Sequence, residues 1–65
     1  MSDVKVTING KEYSIRQAKA SEIVELFDLN PKRLIVEYNG HTLSYSDFER
    51  IKIRNGDVIE ILAVA

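Results

Sequence analysis

The sequence predicts an α+β domain in which one helix packs across a mixed sheet of four or five strands. Three observations predict it. Two stretches of alternating apolar and polar residues meet at Asn9-Gly10, one stretch of helical periodicity covers residues 20–29, and a nearly continuous apolar run extends from Val58 to Val64.

Val4, Val6 and Ile8 alternate with Lys5 and Thr7, the period-2 pattern of a half-buried strand. Asn9-Gly10 stops the run and is a strong hairpin signal, because both central positions of a type I′ turn need positive φ. Tyr13 and Ile15 then alternate with Glu12 and Ser14, so the first 15 residues read as a β-hairpin with one apolar face. Ala20, Ile23, Val24 and Phe27 follow the i, i+3, i+4, i+7 spacing of a single apolar helical stripe, with Ser21 as the expected cap or a start one or two residues earlier. Asn30-Pro31 is expected to end the helix, since proline cannot continue the hydrogen-bond ladder.

Residues 34–38 (Leu-Ile-Val-Glu-Tyr) form an apolar, β-branched strand that meets a second hairpin turn at Asn39-Gly40, followed by a short return strand near Thr42 and Leu43. Ser46 with Glu49 three residues later has capping-box spacing and predicts one helical turn docked by Phe48 and Ile51. Asn55-Gly56-Asp57 makes the last turn. The run from Val58 to Val64, broken only by Glu60, suits a strand flanked by others on both sides. Burying these faces together places the helix across the sheet, with the first and last strands parallel and central. That architecture is the β-grasp.

A chain of 65 residues has room for one domain, residues 1–65, and buries roughly 60% of the surface its unfolded form exposes. Such a fold is not expected to enclose the pocket of roughly 300 Å³ that small-molecule chemistry usually needs. Nine basic and ten acidic side chains leave a net charge of -1 without a basic block, which argues against nucleic acid as a partner. The lack of cysteine excludes disulfides, thiolate metal sites and cysteine nucleophiles. No apolar run approaches the roughly 18 residues of a membrane span, and Met1-Ser2-Asp3 does not begin a signal peptide, so a cytoplasmic location without membrane contact is expected.

The chain resembles the ThiS branch of the ThiS/MoaD sulfur-carrier family, which has the ubiquitin-like β-grasp fold. The residues that carry the likeness are Val4 through Glu12, Glu22 to Leu26 with Leu29-Asn30-Pro31, Val36 to Gly40, Ser46-Asp47-Phe48, and Asn55 to Ile61. Together they span nearly the whole chain. The resemblance implies a carrier that is not an enzyme and holds no cofactor. A ThiF-like adenylyltransferase would use ATP to activate its C-terminus, a sulfur-donor protein would convert that end to a thiocarboxylate, and thiazole synthase would take the sulfur for thiamin. Family members are expected to end in Gly-Gly, which can thread a narrow channel because glycine has no Cβ. This sequence reaches Ala63-Val64-Ala65 instead. A sequence cut just before the glycines is the favoured account, ahead of a relative without carrier function or an alanine-ended carrier. Ser44 stands where a proline is frequent in the family.

If Ile59 and Ile61 face the helix, then Val58, Leu62 and Val64 face the other side of the sheet, where Ile35 joins them. Ile35, Val58, Leu62, Val64 and Ala65 are therefore the candidate partner surface, with Ala65 as the point from which a reactive tail extends. No catalytic, cofactor-binding or metal-ligating residue is assigned. His41 reads as an exposed turn residue without a second ligand near it, Asp47 and Glu49 as helix-capping residues, and Arg50, Lys52 and Arg54 as a solvated basic stripe. The alternatives to the carrier are a β-grasp interaction module without sulfur chemistry and, disfavoured by length, a molybdopterin-type carrier.

Overall fold

The computed structural model describes residues 3–63. Five strands form one mixed sheet: β1 (Val4–Ile8), β2 (Lys11–Ile15), β3 (Leu34–Tyr38), β4 (His41–Ser44) and β5 (Val58–Ala63), in the spatial order β2-β1-β5-β3-β4. β1 and β5 run parallel, and every other neighbouring pair is antiparallel. The helix α1 (Ala20–Phe27) covers one face and the single turn α2 (Tyr45–Phe48) closes one end of it. This is the β-grasp that the order of elements predicts, with five strands.

Alternation decides which side chains the sheet buries. Val6, Ile8, Ile15, Leu34, Val36 and Ile59 point to the helix side and are buried, where they meet Ala20, Ile23, Phe48 and Ile53. Burying each large aliphatic side chain of this set contributes about 1.5–3 kcal/mol against the entropy of ordering so short a chain. Two aromatic contacts extend the core toward its rim: Tyr13 meets Phe27 edge-on at 5.2 Å between ring centres, and Tyr38 meets Phe48 at 6.0 Å.

The hairpin turns form as their residues dictate, with positive φ at Asn9 and Gly10 and again at Asn39 and Gly40. Three helix boundaries differ from the sequence expectation. The N-cap of α1 is Lys19, which gives no side-chain hydrogen bond, so Ser21 lies inside the helix and does not cap it. The neighbouring loop is fastened by Glu22, whose carboxylate oxygens accept the backbone N–H groups of Arg16 at 2.7 Å and Gln17 at 2.6 Å. At the other end α1 stops before Asn30-Pro31. Asp28 adopts φ +53, and the N–H groups of Asp28 and Leu29 close on the carbonyls of Glu25 and Val24, the paired bonds of a Schellman ending. Pro31 then opens a short 3-10 turn, Pro31–Arg33, capped by the Asn30 side chain. The third difference is at α2, where Ser44 and not Ser46 accepts the N–H of Asp47, at 3.3 Å. Among the described residues, no helix is long and apolar enough to cross a membrane.

Candidate functional site

β5 lies at the centre of the sheet, so its outward side chains stand in the middle of the face that α1 leaves open. Ile59 is fully buried on the helix side, which sends Val58, Glu60 and Leu62 to the open face. The β3 register completes the surface: Ile35 stands opposite Leu62, and Glu37 opposite Glu60. Leu62 is 53% exposed, Val58 50% and Ile35 38%. The structure therefore brings together three of the five sequence-predicted partner residues, Ile35, Val58 and Leu62, with Ile35 and Leu62 in direct cross-strand register. Val64 and Ala65 lie outside the described residues.

Besides its backbone ladders to β1 and β3, β5 and the turn before it are fastened by side chains from three turns. The Asn9 side-chain oxygen accepts the Ile61 N–H at 2.8 Å, continuing the β1–β5 ladder one step past the end of β1. From the other side, the Asn39 side-chain oxygen accepts the Val58 N–H at 2.8 Å. The Asn55 side chain accepts the N–H of Lys5 at 2.8 Å and ties the last turn to β1. Each asparagine thus serves a long-range bond besides its turn, a role that local turn chemistry does not announce.

Asp57, the residue before β5, is 8% exposed and is the buried charged group of the structure as described. Its carboxylate accepts the Tyr38 hydroxyl at 2.5 Å, the Arg54 N–H at 2.8 Å and the Asn39 amide at 3.2 Å. Burial works to raise the Asp57 carboxyl, but these hydrogen bonds and the Arg54 charge outweigh it and hold the group below the usual carboxylate range. Burial and the same hydrogen bond push the Tyr38 hydroxyl up to about 12. A carboxylate with both oxygens hydrogen-bonded and locked between a strand and a turn fixes structure; held ionised, it has no proton to donate.

On the helix side, a partly open groove of about 370 Å³ runs between residues 17–21 and the α2 region, where Tyr45, Glu49, Arg50, Ile51 and Lys52 line it. This volume exceeds what the chain length leads one to expect, because the groove is a surface cleft between two loops and needs no deep core to enclose it. Arg50 and Lys52 line it, whereas Arg54 does not. His41 is exposed on β4, and among the described residues no cluster of His, Cys, Asp and Glu could hold a metal.

Comparison with known proteins places this geometry. The model of the ThiS family matches residues 6–65. The uncharacterized protein ycf40 of Trieres chinensis is 34% identical over 58 residues, 88% of this chain and 80% of that protein. The crystal structure of the thiamine biosynthesis protein ThiS from Geobacter metallireducens is similar in fold, with a TM-score of 0.74 at 24% identity over 95% of this chain and 96% of that one.

Proposed function

The chain belongs to the ThiS family of small sulfur carriers, which are not enzymes, and from that premise we infer that it carries sulfur as a C-terminal thiocarboxylate for thiazole formation in thiamin biosynthesis. The observation that carries this reading is the family match over residues 6–65. The exposed face formed by Ile35, Val58 and Leu62 adds to it, since a molecule that acts only when other proteins grip it needs such a surface.

In this reading the carrier presents and its partners react. A ThiF-like adenylyltransferase joins the terminal carboxylate to the adenylyl group of ATP, and pyrophosphate leaves. Sulfur delivered by a donor protein at the oxidation level of sulfide then attacks the acyl adenylate, AMP leaves and the thiocarboxylate remains, and thiazole synthase consumes that sulfur. The carrier contributes position: Asn9 and Asn39 fasten β5 from both sides, so a partner seated on the open face engages a strand held in a set register. The setting is the cytoplasm.

The test is intact-mass measurement of the native chain, with whatever its coding sequence places after Ala65, incubated with a ThiF-like adenylyltransferase, ATP and a sulfur donor. Exchange of one terminal oxygen for sulfur supports the carrier. A chain that binds the adenylyltransferase yet never exchanges is an interaction module, and the sulfur reading falls.

A further inference from the structure

Glu37 and Glu60 stand directly opposite each other across β3 and β5. Val36 and Ile59, one residue before each, are fully buried on the helix side, so both carboxylates point to the open face. Opposed side chains on neighbouring strands have Cβ atoms about 4.5–5.5 Å apart, and like charges there destabilise the pair. Glutamate is also a poor strand former. Two such residues at the centre of the sheet cost stability.

Their surroundings give the pair a meaning. One step along the strands lies the apolar pair Leu62 and Ile35, with Ser44 beside it on β4; one step the other way lies Val58, with Thr7 beside it on β1. Thr42 faces Glu37 from β4. None of these positions carries a cation, so the acidic row runs between the apolar Ile35 and Leu62 pair and the single apolar Val58.

We propose that this row receives a cationic side chain, arginine by preference, that a partner protein presents between aliphatic residues seated on Ile35, Leu62 and Val58. The proposal rests on reading the open face as the partner surface and adds the chemistry of what covers it. A guanidinium has a planar fork of donors that can bond two carboxylates at once, and its stem covers apolar surface on the way. A second copy of this chain is a poor occupant, because a two-fold contact through this face sets one acidic row against another. Repulsion stored in the free protein is relieved when the cation arrives. Neutralising the pair therefore acts with opposite signs on the free chain and on the complex, which a pair with a purely structural role would not do.

The test compares wild type with E37Q/E60Q and L62A in three measurements. In thermal unfolding, E37Q/E60Q is expected to melt higher by about 2–5 °C. In calorimetric titration with a ThiF-like adenylyltransferase, it is expected to bind about 5- to 30-fold more weakly, with a flatter salt dependence than wild type. Unchanged affinity in E37Q/E60Q alongside weakened L62A overturns the cationic contact and leaves the partner surface standing; unchanged affinity in both removes the two together. If wild type does not bind the adenylyltransferase, that partner is wrong, and an NMR titration with the peptide acetyl-Leu-Arg-Leu-amide decides the inference. Shifts centred on Glu37, Glu60 and Leu62, absent with acetyl-Leu-Glu-Leu-amide, uphold it, and no such shifts overturn it. Sedimentation that shows a dimer lost in L62A overturns it as well.

Discussion

The Tyr38 hydroxyl donates a 2.5 Å hydrogen bond to the Asp57 carboxylate, joining the end of β3 to the start of β5. Because the pair shifts both groups, it limits stability at both ends of the pH scale. Asp57 is held below its ordinary value, so its contribution is complete above about pH 4 and is lost as pH falls through the lower folded value. Tyr38 is raised to about 12, so its share is complete below the unfolded value near 10 and disappears as pH rises through about 12. Tyr38→Phe keeps the contact with Phe48 but loses the donor, and is expected to cost about 1–3 kcal/mol at neutral pH. Urea unfolding from pH 2 to 12 checks this: the variant should lose less stability than wild type as pH falls below about 4, because its Asp57 is less depressed, and should lack the Tyr38 share of the alkaline loss.

Asn9 has two separable tasks, a turn conformation at φ +51 and the bond to Ile61. Asn9→Gly keeps the first and removes the second, with an expected cost of about 0.5–1.5 kcal/mol. Asn9→Ala removes both and is expected to cost about 1 kcal/mol more, the strain of a Cβ in the left-handed region. Faster amide exchange at Ile61 in both variants, with unequal midpoints in denaturant, distinguishes the tasks. Equal midpoints would mean that the turn does not select asparagine for its conformation.

The strands and their faces were legible in the sequence because burial writes itself into a chain with period 2. Val4 to Ile8 carries that pattern, whereas residues 34–38 and the run from Val58 read as strands from their apolar, β-branched composition, and the alternation of faces along a strand then sets Ile35, Val58 and Leu62 opposite the buried side. Helix ends were less legible. Ser21 fits capping rules better than Lys19, and Ser46 fits them as well as Ser44, so local residue preference does not pick out the observed caps. Least legible were contacts that depend on strand register. Glu37 against Glu60, and Asn9 reaching Ile61, join positions whose pairing no local turn sets.

Asp28 ends α1 with an unfavourable side chain in a useful conformation. Its φ of +53 is one that glycine adopts without strain, and its charge lies at the negative end of a helix whose last turn has no basic residue. Asp28→Gly is expected to add about 1 kcal/mol, after the greater freedom of glycine in the unfolded chain is subtracted. For a domain of this size that is a Tm gain of about 4–8 °C, readable by calorimetry. A lower Tm would show that the Asp28 side chain contributes a contact that outweighs its backbone strain.

The open face can be tested apart from the fold by comparing neighbours on β5. Ile59 is fully buried, whereas Leu62, three residues on, is 53% exposed and touches the core little. Ile59→Ala is expected to cost about 2–5 kcal/mol, near the whole stability of so small a domain. Leu62→Ala should cost less than about 1 kcal/mol, because most of the removed surface was already in water. If the face is where the adenylyltransferase seats, Leu62→Ala weakens that binding by about 10-fold while the protein unfolds at nearly the wild-type denaturant concentration. Equal losses of stability and binding would instead place Leu62 in the support of the fold, and the partner surface would have to be sought elsewhere on the molecule.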